Sequence, residues 1–349
     1  MGARLASVLA LALAAQAGAS AEAKPPTRLF AEDQPIKVTL RGPISAVAST
    51  PATQRTARPG TLMLASPVAE TLAIQLSPRG RTRRQKERCN FPPLRVEFAA
   101  KPGKTSFFER QKRLKLVTHC RQSPQHQQYV LLEYAAYRLF NALSPHGLRA
   151  RLGTFDYVET NGKTVASKLG FFTEDVDDAA SRNDLKAATV GPVVRAGQLD
   201  PATAARAALF EYMIGNTDWS MRQAPPGGDC CHNFRLLGAA NAQSGLIPVP
   251  YDFDSSGFVN APYAAPAEQL GLSSVRDRQY RGYCMHNTQA LAAAAEFRAK
   301  KPQLMAALAS IPELDEGRRR GAAVYIEGFF RDIATDEDVR KRVLKTCIS

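Results

Sequence analysis

The sequence predicts an α+β protein of two lobes, in which a β-rich N-terminal lobe holds one key helix and the C-terminal lobe is mostly helical. Short segments with alternating apolar and polar residues, the pattern of half-buried strands, are concentrated before residue 175. One segment among them has apolar residues at helical spacing instead. After residue 176, stretches rich in Ala, Leu, Glu and Lys indicate helices.

The first residues have the features of a secretory signal peptide. Arg4 precedes a short apolar run, and Ala19-Ser20-Ala21 is a small-residue cleavage site. The run is too short to span a hydrocarbon core about 30 Å thick. Residues 1–21 are therefore predicted to be a signal peptide, and the mature protein is expected to be periplasmic or secreted, with no membrane anchor.

The N-terminal lobe is predicted at residues 70–175, after an N-terminal strand (36–40) and linker within 22–69. Part of 46–60 is typical of a linker or mobile loop. The strands predicted in the lobe are 71–76, 94–98, 114–118, 151–158 and 167–172, and its helix is 129–143.

The C-terminal lobe is predicted at residues 176–349. Asp200 as N-cap and Pro201 at the first position begin a helix that runs to about Ile214. Two short strands follow, near 234–237 and 246–249. From about residue 289 to the end the composition indicates two or three more helices.

Six cysteines outside the signal segment indicate up to three disulfides in an oxidising compartment. The paired CxxC spacing of a zinc site is absent. Cys89 and Cys120 each lie beside a predicted strand, so we expect them to form a disulfide. Cys230 and Cys231 are expected to pair with other cysteines, because a disulfide between adjacent residues strains the backbone.

The formal charge of +14 is concentrated in two basic stretches, 79–88 and 110–115. A basic surface attracts nucleic acid, anionic lipid, acidic polymers or nucleotide phosphates. Aromatic residues make up only 8% of the chain and are not interleaved with the basic residues, as they are in proteins that bind single strands. Nucleic acid is therefore not expected as a partner.

Three polar segments in the C-terminal half carry the residues best suited to chemistry: Asn216-Thr217-Asp218, His232-Asn233 and Asp252-Phe253-Asp254. Phosphoryl transfer from ATP requires a carboxylate that orients the attacking hydroxyl, and an Asn and a second carboxylate that hold magnesium. The chain order Asp, Asn, Asp is that of protein kinases. Asp218 is accordingly the predicted catalytic residue, and Asn233, Asp252 and Asp254 are the predicted metal ligands.

These segments depart from the protein-kinase pattern in their spacing, and their residues also have a purely structural explanation. The gap between Asp218 and Asn233 is longer than in protein kinases, and an insertion at 225–228 accounts for the excess. Asp-Phe-Asp-Ser-Ser-Gly is also ordinary turn chemistry, and Asp218 could serve only as a helix cap.

The N-terminal half supplies predicted nucleotide-binding residues. Kinases hold the phosphates with a strand lysine that pairs with a helix glutamate, and Lys115 and Glu133 occupy such positions. We expect these two side chains to meet. Glu174 follows the strand predicted at 167–172, where a segment contacting adenine would lie. The loop that contains Gly80, Arg81 and Arg83 links two strands where a phosphate-binding loop is expected.

Two other site classes are excluded. Lys101-Pro102-Gly103-Lys104-Thr105-Ser106 lacks the first glycine of a P-loop, because that position is Phe98. The chain also has no GxSxG segment, and its five histidines are not paired at metal-ligand spacing.

With these motifs, residues 70–260 resemble the CotH-like family of atypical kinases, related to spore-coat protein kinase, in an exported bacterial subgroup. The resemblance is carried by Arg79-Gly80, Leu114-Lys115-Leu116-Val117, Leu132-Glu133-Tyr134, Asn216-Thr217-Asp218, Asn233 and Pro250-Tyr251-Asp252-Phe253-Asp254. It implies a two-lobed protein-kinase-like fold, ATP with Mg²⁺ or Mn²⁺, and phosphorylation of a Ser or Thr of a protein substrate. It also implies that Asp218 is catalytic and that the Asp-Phe-Asp segment binds metal.

The function that follows is an exported, ATP- and metal-dependent phosphotransferase that acts on a protein. Two alternatives stay open. One is a non-catalytic envelope protein with a kinase-like scaffold that binds an acidic partner, because a Gram-negative periplasm contains little ATP. The other is a transferase that moves the AMP group of the nucleotide.

Overall fold

The computed structural model describes residues 24–224 and 228–349. The predicted signal peptide and most of the insertion at 225–228 lie outside these residues. The described strands are β1 (Ile36–Arg41), β2 (Arg58–Leu64), β3 (Glu70–Pro78), β4 (Leu94–Phe98), β5 (Arg113–Val117), β6 (Ala150–Val158), β7 (Thr164–Thr173), β8 (Lys186–Ala187), β9 (Phe234–Gly238) and β10 (Ile247–Pro250). The described helices are α1 (Arg28–Ala31), α2 (Ile44–Ala48), α3 (Pro124–Leu143), α4 (Val176–Arg182), α5 (Pro201–Ile214), α6 (Asn287–Ala309), α7 (Glu316–Asp332) and α8 (Asp336–Asp338).

Seven strands form a closed barrel in the order β1-β2-β3-β4-β5-β7-β6. Every neighbouring pair is antiparallel except β1 and β6, which close the barrel in parallel. The mixture of helices and strands agrees with the predicted α+β class, but the predicted two-lobed protein-kinase-like fold is wrong. The segment 46–60, part of which is expected to be a linker, includes the end of α2 and the start of β2. Because β2 pairs with both β1 and β3, no open β-rich lobe remains.

The barrel interior is filled by alternate side chains of its strands. Phe155 and Tyr157 of β6 and Phe172 of β7 belong to the core cluster inside the barrel. Leu152 and Phe171, on the opposite faces of the same strands, pack with α3 in a second cluster. β6 and β7 therefore contribute to both cores, as the period of two in a strand requires.

The helical part is built around α5, which is buried along most of its length. Its N-cap is Asp200, whose carboxylate accepts a hydrogen bond from the Thr203 N–H (2.8 Å), as the sequence predicts. The helix ends at Gly215 in the left-handed conformation (φ 62°). β8, β9 and β10 form a separate three-stranded antiparallel sheet beside it.

Three disulfides are present in the described residues. Cys89 pairs with Cys120, which confirms that prediction, and Cys284 pairs with Cys347 near the end of the chain. Cys230 pairs with Cys231, so the expectation that each would bond elsewhere is wrong. Because the other four cysteines satisfy one another, the adjacent pair is left with no other partner. Such disulfides are compatible with an extracellular or periplasmic location. None of the described helices combines the length and the apolar character needed to cross a membrane.

Candidate functional site

A cluster of carboxylates surrounds the buried guanidinium of Arg83. Its Nε lies 3.1 Å from Asp254 Oδ2, its Nη1 lies 3.4 Å from Glu133 Oε2, and its Nη2 lies 3.6 Å from Asp252 Oδ1. Asp252 is the most exposed of the three acids, with a third of its side chain accessible. We call these four residues the carboxylate cluster.

A short turn delivers Arg83 to this position. Gly80, in the left-handed region at φ 88°, turns the chain after β3, and a single 3₁₀ turn then runs over Thr82–Arg84. The Arg79 N–H, donating to the Pro93 carbonyl oxygen (2.8 Å), holds the loop against β4. Within the turn, both Arg83 and Arg84 are buried, whereas Arg81 is exposed.

The acids come from α3 and from the segment after β10. Glu133 lies in the middle of α3, and one helical turn later Tyr137 Oη accepts a hydrogen bond from the Asp252 N–H (3.1 Å). Asp252 adopts a left-handed backbone (φ 67°), a conformation that is uncommon for residues other than glycine. Such conformations cluster at functional sites, where the surrounding structure supports their cost.

The cluster holds more negative than positive charge. Burial, together with Asp254 and Asp252, raises the pKa of Glu133 to about 8 against the opposing effect of Arg83. Burial also raises the pKa of Asp254. Glu133 is therefore mostly protonated at neutral pH, and the Asp252 and Asp254 carboxylates facing one guanidinium leave an excess of negative charge that an added cation would neutralise.

Asp218 lies in a polar turn after α5. Its N–H donates to Asn216 Oδ1 (3.0 Å), and its Oδ1 lies 2.7 Å from His232 Nε2. Asn233 Nδ2 donates to the Asp218 carbonyl oxygen (2.7 Å) and also lies 3.3 Å from Asp218 Oδ2. Almost half of the Asp218 side chain remains exposed, so the carboxylate is fixed in place and still accessible.

Asn233 connects Asp218 to the carboxylate cluster. Its carbonyl oxygen accepts a hydrogen bond from the Tyr251 N–H (3.0 Å), immediately before Asp252. The pairing of Phe234 in β9 with Pro250 in β10 fixes this approach. The structure therefore brings together four of the predicted residues on adjacent segments: Asp218, Asn233, Asp252 and Asp254.

Lys115 lies over the aromatic ring of Tyr251. Its Nζ is 4.8 Å from the centre of the Tyr251 ring, and the Arg235 guanidinium is 5.0 Å from the same ring. Burial, Arg79 and Arg235 lower the pKa of Lys115 to about 7, although Asp175 and Asp252 act in the opposite direction. A group of cations thus adjoins the carboxylate cluster.

The expected contact between Lys115 and Glu133 is not formed, and that prediction is wrong. Glu133 pairs with Arg83 instead, because the turn before β4 inserts an arginine next to α3. The helix position of Glu133 required a cationic partner, as expected for a buried carboxylate. The partner comes from a loop and not from a strand.

Glu174, predicted to lie where adenine would be contacted, forms a buried ion pair. Its side chain is buried in an ion pair with Arg182 (Nε to Oε1, 3.0 Å), and it accepts a hydrogen bond from the Arg149 N–H (3.0 Å). Arg182 in turn donates to the carbonyl oxygens of Pro145 and Gly147. The Glu174 side chain therefore stabilises the start of the segment after β7.

Residues to which the sequence alone assigns no individual role complete the site. His232 contacts Asp218, and Arg79, Arg235 and Tyr251 surround Lys115. His232 could have been found from its position next to Asn233. Arg235 could have been found from the alternation of β9, but nothing in the sequence indicates which strand faces Tyr251.

No set of three or more His, Cys, Asp or Glu side chains in the described ranges is arranged to hold a metal ion. The oxygen donors available here are the Asp252 and Asp254 carboxylates and the Asn233 amide. Mg²⁺ is commonly bound by one or two carboxylates together with substrate phosphates and water, so this donor set fits a hard divalent cation.

No protein-family model matches the chain, and no curated protein is similar enough to count as a relative. The resemblance to CotH-like kinases therefore remains a hypothesis, which has to be judged on the chemistry of the residues themselves.

Proposed function

We propose that the protein is a metal- and ATP-dependent phosphotransferase that modifies a Ser or Thr of a protein in the periplasm or outside the cell. The proposal rests on one observation above all. An excess of carboxylates at Glu133, Asp252 and Asp254 adjoins a group of cations at Arg79, Lys115 and Arg235. A metal-bound polyphosphate presents the complementary pair of charges, a cation for the acids and anionic oxygens for the bases.

Each side chain has a distinct role in this proposal. Asp218 accepts the proton of the substrate hydroxyl, and the Asn233 amide N–H groups hold its carboxylate in place. Lys115 and Arg235 bind the phosphate oxygens and stabilise the negative charge that develops during transfer. The hydroxyl oxygen forms a new bond to the terminal phosphorus, the bond from that phosphorus to the bridging oxygen breaks, and ADP leaves.

Asp252 and Asp254, with the Asn233 amide oxygen, would hold the divalent metal, Mg²⁺ or Mn²⁺. When bound, the metal supplies charge neutralisation at the phosphate oxygens. Arg83 holds the two aspartates in position and separates them from Glu133. Burial, and after it the charges of Asp254 and Asp252, raise the pKa of Glu133, and a cation bound here would offset both effects.

The catalytic role is tested with an Asp218→Asn variant of the disulfide-intact protein. With γ-labelled ATP and Mn²⁺ or Mg²⁺, we expect label on an acceptor protein or on the chain itself, and a loss of about 10²- to 10⁴-fold in the variant. Asp229→Asn, at an exposed aspartate outside the site, is the matched control and should keep full activity. Equal transfer by the wild type and by Asp218→Asn would refute the role.

The transferred group separates the phosphotransferase from the AMP transferase. Label from γ-labelled ATP, but not from α-labelled ATP, is expected on the acceptor. Absence of nucleotide binding with either metal, measured by calorimetry on the folded wild type, would instead favour the non-catalytic envelope protein.

A further inference from the structure

A cavity of about 590 Å³ lies beside the 3₁₀ turn that carries Arg83. It is bounded by α2, by the loop around the Cys89–Cys120 disulfide, and by Val165 at the start of β7. Its volume falls in the range of sites that bind small molecules. The residues of the carboxylate cluster do not line it, so the cavity is separate from the site described above.

Arg84 supplies a buried charge to this cavity. Arg83 and Arg84 are neighbours in the same turn; Arg83 enters the carboxylate cluster, and Arg84 lines the cavity. Only 7% of Arg84 is exposed, and its Nη2 donates to the carbonyl oxygens of Pro51 and Gln54. No carboxylate pairs with this guanidinium within the described ranges, and its Nε has no hydrogen-bond partner there.

Other basic residues near Arg84 add to its positive charge. Arg55 lies close enough that it and burial together lower the pKa of Arg84. Lys86 also lines the cavity, and Glu87 is the one acid among the lining residues. The Arg84 guanidinium has two carbonyl partners but no counter-ion in the described ranges, and an anion in the cavity would offset the cost of burying its charge.

Another part of the wall is apolar. Phe91, Pro92, Val165 and Ala48 line one part of the cavity. Phe91 is backed by His119, whose ring stacks on it at 4.6 Å. A ligand therefore meets a cationic group and an apolar surface, the combination that selects a small organic anion.

We propose that this cavity binds a small organic anion, in which one carboxylate or phosphate group pairs with Arg84 and an apolar body lies against Phe91 and Pro92. The site is independent of the phosphotransferase function proposed above.

Phenylphosphate is the probe, because it joins an anionic group to a flat apolar ring. Isothermal titration calorimetry on the folded wild-type protein should give saturable binding with one molecule per chain. Benzyl alcohol, which keeps the ring without the charge, should bind at least tenfold more weakly, and so should inorganic phosphate, which keeps the charge without the ring. Equal affinity for benzyl alcohol and phenylphosphate, or no saturation by phenylphosphate, would overturn the proposal.

Three variants test whether phenylphosphate binds in the cavity. Arg84→Gln should weaken phenylphosphate binding by roughly 10- to 100-fold, the effect of losing a charged hydrogen bond. Arg81→Gln removes an equal charge from an exposed position in the same loop and should change the affinity less than twofold. Because Arg84 also holds two carbonyl groups, a second variant, Ala48→Phe, fills the cavity without touching that contact and should abolish binding.

Lys115→Ala distinguishes the cavity from the proposed nucleotide site. If the cavity is the site, this variant binds phenylphosphate like the wild type. If Lys115→Ala abolishes binding while Ala48→Phe and Arg84→Gln retain it, the anion binds beside Tyr251 and the cavity proposal is wrong.

Discussion

The pKa of Lys115 departs far from its ordinary value in water. Its pKa is lowered to about 7, so a substantial fraction of its amine is uncharged at neutral pH. An uncharged amine is a nucleophile. Acetylation by an N-hydroxysuccinimide ester at pH 7.5, followed by peptide mass spectrometry, should therefore label Lys115 faster than Lys112, which serves as the control.

The pH dependence of the labelling rate shows the direction in which the pKa of Lys115 is shifted. The rate at Lys115 should rise steeply between about pH 6 and 8 and then level, because deprotonation is complete above its folded pKa. The rate at the exposed Lys112, measured over the same pH range, is the reference profile. Labelling of the two lysines with the same profile would contradict a lowered pKa at Lys115.

For individual residues, the sequence predicts the acids of the site better than the cationic side chains that contact them. Asp218, Asn233 and Asp252 are predicted because phosphoryl transfer needs few side-chain types and these residues occur in the order found in protein kinases. Arg83 was selected for a phosphate-binding loop, yet it lies among carboxylates. Its direction depends on a single 3₁₀ turn, and no periodic pattern in the sequence describes where such a turn points.

At the scale of elements, alternation located most strands of the barrel within one to three residues of their ends, and it failed for β2. Arg58-Pro59-Gly60 opens that strand with residues that are ordinarily found in turns. Barrel closure follows from β2 and from the parallel pairing of β1 with β6. Such pairing joins segments far apart in sequence, and local patterns do not encode it.

At Gly153 the two closing strands, β1 and β6, lie close together. A Cβ atom at this position would lie 2.6 Å from the Ile36 carbonyl oxygen and 2.9 Å from the Ile36 side chain. Gly153→Ala should therefore push β6 away from β1 and lower the free energy of unfolding by about 1–3 kcal/mol. Urea denaturation followed by circular dichroism measures this change.

Gly103→Ala is the control for the same chemical change. Gly103 is exposed, and nothing lies within 4 Å of a Cβ built on it, so the free energy of unfolding should change by no more than about 0.5 kcal/mol. Equal effects of the two substitutions would mean that the contact between β1 and β6 is not tight at Gly153.

At the scale of the whole molecule, the site combines residues from the barrel, from α3 and from the segments around the small sheet. Arg83 comes from a loop of the barrel, Glu133 from α3, and Asp218 and Asp252 from the segments around the small sheet. The two cores also share their strands. Phe155 and Phe172 point into the barrel, while Leu152 and Phe171 pack outward against α3.

The barrel and the helical part are therefore expected to unfold together. Loss of the barrel would expose Leu152 and Phe171, remove the surface on which α3 packs, and so destabilise the second core. Calorimetry on the disulfide-intact protein should show one transition whose calorimetric and van't Hoff enthalpies agree. Gly153→Ala should then lower the midpoint of that single transition. Two transitions, of which only the first responds to Gly153→Ala, would mean that the barrel unfolds by itself and that β6 and β7 do not couple the cores.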